Sequence, residues 1–233
     1  MGAAARPANK LLQALTPAAY DRLSTKLKPV ELRAKQILYK PNEPIGEVYF
    51  PETAVISQLT VMNNGDTLET ATVGREGASW ISAHIGAPSM PCETIVAIGG
   101  AAHKLAIDEL SREMEENEPF ADVLTKYSHA LLVHSLRMTG CTGLHTLEQR
   151  CARWMLTTLD RVPADRFSVT HEFLSTLLGC TRPSATLVIS DLQHRGILQV
   201  ERGLIIVANR DALLKVSCEC YEIIKDTYAQ VAK

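Results

Sequence analysis

The residues best suited to chemistry lie between Phe167 and Val207. Thr181-Arg182-Pro183-Ser184 opens a predicted helix that runs to about His194, with Ala185, Val188, Ile189 and Leu192 as its apolar positions. An arginine at the head of such a helix can aim two parallel N–H donors at one acceptor pair, as guanine O6 and N7 present in a DNA major groove. The leading residues of that helix are Thr181, Arg182, Pro183, Ser184 and Thr186. Thr170, His171, Ser184 and Arg195 are placed where donors to phosphate oxygens would be useful.

Other chemistries find little support. There is no nucleophile–base signature, phosphate-cradling glycine loop, zinc motif or pair of carboxylates at useful spacing, so no catalytic residue is assigned and the chain is not read as an enzyme. Six cysteines stand at 92, 141, 151, 180, 218 and 220, and none forms a C-x-x-C pair. The expectation is reduced thiols, some buried as small apolar side chains, and no metal site.

The elements around Arg182 follow from local signals. Thr170 can cap a helix through Leu178, and Gly179 can end it in the left-handed conformation. Cys180 and Thr181 bridge to the second helix, which Gly196 stops. Ile197-Leu198-Gln199-Val200, a turn at Glu201-Arg202-Gly203 and Leu204 to Ala208 make a tight hairpin. Two helices joined by a glycine turn and followed by a hairpin form a winged helix-turn-helix, which serves DNA binding or, in some proteins, protein contacts.

Further upstream the pattern changes. Residues 10–27 predict two short helices, with Thr16 capping the second and Pro17 at its first position. The next ninety residues alternate short β-branched or aromatic runs with turn signals, Asn64-Gly65 among them, and predict an antiparallel barrel or jelly roll. From Pro119 to about Gly140 a long helix takes over. Phe120, Leu124, Tyr127, Leu131, His134, Met138, Cys141 and His145 follow the 3.5-residue period of a two-helix seam. The same stripe would also suit an ordinary amphipathic helix packed on the barrel. A further helix over 146–160 carries a Thr146/Gln149 capping box.

The chain has 233 residues, 46% of them apolar and 21% charged, which are values of a folded globular protein. A net charge of −2 gives no basic balance for the whole chain, so any basic face must be local. No stretch is long and apolar enough to span a bilayer, and no apolar run follows the Ala-rich N-terminus, so a cytoplasmic location without membrane contact is expected.

Thr170-His171-Glu172-Phe173-Leu174-Ser175-Thr176-Leu177-Leu178-Gly179-Cys180-Thr181-Arg182-Pro183-Ser184 resembles the helix-turn-helix signature of the Crp/Fnr family of bacterial transcription regulators. Tyr39 to Ile45 and Val48-Tyr49-Phe50-Pro51 resemble the start of that family's β-roll. Val73 to Gly77, the segment from His145 to Trp154 and Ser217-Cys218-Glu219-Cys220-Tyr221 are similar to a branch without an assigned effector. The resemblance covers nearly the whole chain. It implies an α+β protein with a cyclic-nucleotide-binding-like β-roll sensor over 1–117, a dimerisation helix over 118–146 and a DNA-binding winged helix-turn-helix over 147–233. It also implies a homodimer on a palindromic DNA site, with RNA polymerase and a small-molecule effector as further candidate partners. Phe120, Leu124, Tyr127, Leu131, His134 and Met138 are the expected seam.

The departures narrow the effector. Members that bind cyclic AMP carry a Gly-Glu pair and, further along, an Arg beside Ser or Thr. Here Gly74-Arg75-Glu76-Gly77 splits the pair, and Pro91-Cys92-Glu93-Thr94 puts a carboxylate where phosphate needs a cation. Gly74, Arg75, Glu76, Gly77, Glu93 and Thr94 remain the candidate effector pocket, with cyclic AMP in the usual pose disfavoured. No cysteine precedes Cys92, which disfavours the iron–sulfur cluster of the oxygen-sensing members. Haem stays open through His84, His103, His129, His134 or His145. Pro183 and Leu187 replace the Glu and Arg of members that read TGTGA-type half-sites, so base preference should differ and the Arg182 contact alone carries over. The alternative function is an effector-independent DNA-binding or scaffold protein whose β-roll only dimerises.

Overall fold

The computed structural model describes residues 6–79 and 87–231. Two short helices come first, α1 (Lys10–Gln13) and α2 (Pro17–Ser24). Thr16 caps α2 by accepting from the Ala19 amide, with Pro17 inside the first turn, as its sequence predicts.

Seven strands then build the β-roll: β1 (Lys28–Leu32), β2 (Ile37–Tyr39), β3 (Glu47–Pro51), β4 (Val55–Val61), β5 (Thr67–Val73), β6 (Cys92–Ile98) and β7 (Gly100–Ala106). One sheet runs β1-β7-β3 and the other β2-β6-β4-β5, with every pairing antiparallel. At the β4–β5 turn Gly65 takes φ 88°, while Asn64 keeps a negative φ and instead accepts from the Asp66 amide through Oδ1 at 3.1 Å. The turn is therefore one left-handed residue plus an Asx hydrogen bond.

Helix α3 (Ile107–Glu116) leads into the long α4 (Glu118–Leu144), capped by the Asn117 side chain. Helix α5 (Leu147–Leu159) opens with the complete Thr146/Gln149 capping box. The remainder is β8 (Arg166–Ser168), α6 (His171–Leu178), α7 (Arg182–His194), β9 (Leu198–Glu201), β10 (Leu204–Val207), α8 (Arg210–Val216) and α9 (Cys220–Ala229). Strands β8-β10-β9 form a small sheet beside α6 and α7, completing the winged helix-turn-helix of an α+β chain.

The cores do not follow the three-part division. One joins Val55, Leu59 and Ile95 of the β-roll to Trp154 of α5, Phe173 of α6 and Ile189 of α7. A second gathers α4 against the N-terminal helices, β3 and α9. Phe120, Leu124, Tyr127, His134 and Met138 are buried there, within one chain. The residues of the expected seam therefore pack within the single chain, with Leu131 half-buried against the same core. A 3.5-residue period identifies a buried stripe but leaves its partner open, and α9 with the β-roll fills that role. Among the described residues no helix is long and apolar enough to cross a membrane.

Candidate DNA-binding surface and the sites around it

The turn of the helix-turn-helix is built from local caps. Thr170 accepts from the Phe173 amide at 3.1 Å and starts α6. Gly179 ends it at φ 59°, ψ 49°, in the left-handed region that glycine enters cheaply. Thr181 accepts from the Ser184 amide and starts α7, with Pro183 in its first turn. Arg182 is thus held at the exposed head of α7, and it makes no ion pair among the described residues.

The neighbouring predicted contacts cluster with it. Thr181 Oγ1 lies 2.8 Å from Ser184 Oγ, and His171 Nδ1 lies 3.1 Å from Thr186 Oγ1, which links the heads of α6 and α7. Thr170, Thr181 and Arg182 are exposed, while His171, Ser184 and Thr186 are half-buried. Leu187, one turn along, is 72% exposed. Arg202 was missed from the sequence: it stands exposed at the wing turn with φ 48°, beside Gly203 at φ 84°. The Glu201-Arg202-Gly203 turn follows from the sequence, whereas the closeness of its cation to α7 depends on where the hairpin packs.

Arg195 does not join this group. It is the C-cap of α7, about 20 Å from Arg182 at 1.5 Å per residue, and it pairs with Glu148 of α5 and with Asp191 at 2.8 Å. Those carboxylates already balance its charge.

The six candidate effector residues do not form one pocket. Glu93 is level with Leu59 and Glu69, whereas Gly74 follows Val73, level with Ile56 and Val96. The two groups are two strand spacings apart, about 9.6 Å, and displaced along the sheet as well. Thr94 is buried in its strand. The 74–77 loop is filled by the chain itself. Arg161 pairs with Glu76 at 2.6 Å, and a Cβ on Gly74 would stand 2.4 Å from Arg161 Cδ. A Cβ on Gly77 would stand 2.3 Å from Tyr127, whose hydroxyl donates to Ala78 O at 3.0 Å. Beyond this loop, a cleft of about 460 Å³ is lined by Lys10, Arg75, Asp160, Tyr221 and Lys225.

The histidines scatter. His103 faces Glu52 at 3.1 Å, His129 is exposed on α4, and His134 is buried with Nδ1 3.1 Å from the Tyr228 hydroxyl. Burial, with the charges of Arg161 and Arg153, holds the His134 pKa well below 6.5. His84 lies outside the described residues.

His145 behaves differently. It converges with Cys141, Cys218 and Cys220, a group of metal-ligand type where no metal site was expected. The hydrogen bond with Cys218 lowers the Cys141 thiol to about 4, helped by the nearby Arg153 charge, and the same bond raises Cys218. In sequence Cys141 and Cys218 are separated by 77 positions and His145 and Cys220 by 75, which hides the convergence.

Residues 149–216 match the model of the Crp-like helix-turn-helix domain. No curated protein matches the chain. Among solved structures, FixK2 from Bradyrhizobium japonicum superposes with a TM-score of 0.70 at 19% identity, over 82% of this chain and 98% of its own. A transcriptional regulator of the Crp/Fnr family from Eubacterium rectale gives 0.67 at 15%, over 88% and 96%. The c-di-GMP responsive global regulator CLP of Xanthomonas campestris gives 0.61 at 14%, over 82% and 99%. At these identities the likeness is one of fold.

Proposed function

From a chain with a Crp-like helix-turn-helix domain at 149–216 and the fold of Crp/Fnr regulators, we propose a homodimeric DNA-binding transcription regulator acting on a palindromic site. The observation that carries it is Arg182, exposed and free of ion pairs among the described residues at the head of α7, with Thr181, Ser184 and Thr186 around it. In this reading Arg182 reads a guanine through O6 and N7. Thr170, His171 and Ser184 position the backbone, and Arg202 of the wing adds a phosphate contact. Leu187 offers an apolar contact suited to a thymine methyl.

The dimer is assigned to the exposed face of α4. Thr125, His129, Leu132, Leu136, Thr139 and Gly143 follow steps of 4, 3, 4, 3 and 4. Leu132 is 57% and Leu136 64% exposed, and nothing lies within 4 Å of a Cβ built on Gly140 or Gly143. Two such helices can approach closely along that stripe. The paired recognition helices then meet half-sites one DNA turn, about 34 Å, apart.

Cyclic AMP in the usual pose is not part of this function. Glu76 is neutralised by Arg161, and Glu93 would repel a phosphate. The self-filled 74–77 loop also favours a second reading, an effector-independent DNA-binding protein whose β-roll only supports the dimer. Selecting random duplexes on the purified protein tests both. A palindrome with half-sites one turn apart, recovered without added small molecule, is expected. No enrichment, with or without cell-extract metabolites, would refute DNA recognition.

A further inference from the structure

Four ligand-type side chains meet where the end of α4 touches the α8–α9 junction. Cys141 and His145 stand one turn apart on α4, and Cys218 and Cys220 flank the start of α9. Their ligand atoms all lie within 4.8 Å of one another. Cys141 Sγ is 3.6 Å from Cys218 Sγ, and Cys220 Sγ is 3.7 Å from His145 Nδ1. A tetrahedral ion with metal–sulfur bonds of about 2.3 Å and metal–nitrogen bonds of about 2.0 Å needs edges of roughly 3.5 to 3.8 Å.

The surroundings fit the same purpose. His145 turns its other nitrogen, Nε2, toward Glu219 Oε1 at 3.3 Å, the carboxylate–imidazole arrangement that orients a metal-bound histidine. Arg153 is buried, with Nε and Nη1 unpartnered, and it is close enough to act on Cys141. A groove of about 360 Å³ lined by Leu136, Arg137, Gly140 and Leu144 reaches the cluster in the single chain; it borders the face assigned to the dimer, so the ion enters before two chains pair.

We propose that Cys141, His145, Cys218 and Cys220 bind one thiophilic divalent cation of the zinc type, with Glu219 orienting His145. Sulfur-rich ligands select such an ion over magnesium or calcium, and four protein ligands make a closed, structural site. An iron–sulfur cluster would place its own irons and sulfides between the thiolates, for which four atoms within 4.8 Å leave no room. His145 is the C-cap of α4 and α5 begins two residues later, so the ion pins α9 at the hinge between the long helix and the winged helix-turn-helix. None of the four residues belongs to the DNA surface, so this inference stands or falls separately from DNA binding.

The test is metal analysis of the full chain purified without chelator, followed by cobalt titration of the stripped protein under reducing conditions. One equivalent of metal per chain is expected, with thiolate-to-cobalt charge-transfer bands and the visible bands of a tetrahedral site. Cys218→Ser should weaken cobalt binding and lower the charge-transfer intensity per bound cobalt by roughly a third, one thiolate of three being lost, and Cys92→Ser, in the β-roll, should leave both unchanged. Glu219 is largely exposed, so Glu219→Gln keeps the fold and should weaken cobalt binding on the order of tenfold. A folded wild-type chain that takes up no cobalt, or cobalt binding indifferent to both Cys218→Ser and Glu219→Gln, would overturn the site.

Discussion

In the proposed reading, Arg182 is the residue on which DNA recognition turns. Arg182→Ala should weaken specific binding by about 1 to 3 kcal/mol and relax preference at one base position, as expected when a bidentate contact is lost. Selection and sequencing on the variant would show it; an unchanged site logo would remove Arg182 from base reading. His134 makes a prediction of another kind. Its folded pKa lies well below 6.5, so above that value both the folded and unfolded chains are neutral there. As pH falls below about 6.5 the unfolded chain gains a proton that the folded chain refuses, and stability declines by about 1.4 kcal/mol per pH unit. Denaturation at pH 7 and pH 5 should show that slope, flattened by one proton in His134→Phe. Arg182 was legible because Thr181, Pro183 and Gly179 fix its position through local caps. The packing of His134 inside its own chain was not legible, because burial against Tyr228, 94 positions away, leaves no local mark.

At the scale of elements, α4 shows what periodicity can and cannot settle. Its start and the spacing of its apolar stripe follow from the sequence, whereas it runs past the expected end near Gly140 to Leu144, and the choice between an internal core and a partner chain depends on where α9 docks. With the inner stripe consumed, Leu132 and Leu136 stay exposed and form the dimer face in the proposed reading. Leu136→Asp should therefore shift the chain from dimer to monomer in sedimentation while far-ultraviolet circular dichroism stays constant. Tyr127 or Leu124 changed to Asp would instead unfold the protomer, because both are buried in it. A Leu136→Asp protein that still sediments as a dimer would place the interface elsewhere. The helix-turn-helix carries its own elementary constraint. Gly179 sits at φ 59°, and a Cβ there would approach Leu68 Cδ1 to 2.6 Å. Gly179→Ala should cost about 1 to 2 kcal/mol for the left-handed backbone alone, with the displaced Leu68 adding to it, as thermal denaturation would register.

For the molecule as a whole, what matters is how the β-roll is joined to the winged helix-turn-helix. Composition and motif order separate these parts, yet their border is a packed core with two buried polar ties. Trp154 Nε1 of α5 donates to Glu69 of β5 at 3.1 Å, and burial raises the pKa of that carboxyl. Two residues past the end of α5, Arg161 reaches back to the β-roll, donating to Thr72 O at 3.0 Å and pairing with Glu76. No sequence signal links Arg161 to Glu76, since a buried ion pair between distant segments has neither period nor spacing. Its energetics are still predictable. The pair repays its desolvation only while both charges are present, so Glu76→Gln leaves a buried guanidinium without its counter-charge. The expected cost is about 3 to 5 kcal/mol. Because one core spans Val55, Trp154 and Ile189, the loss should appear as a single unfolding transition moved to lower denaturant, with tryptophan fluorescence and circular dichroism shifting together. If the two probes separated, or if the midpoint barely moved, the β-roll and the DNA-binding end would be docked loosely and free to reorient. The self-filled 74–77 loop would then be one state of a switch. A large, concerted shift means that an effector would have to displace Arg161 from Glu76 before it could reach the loop.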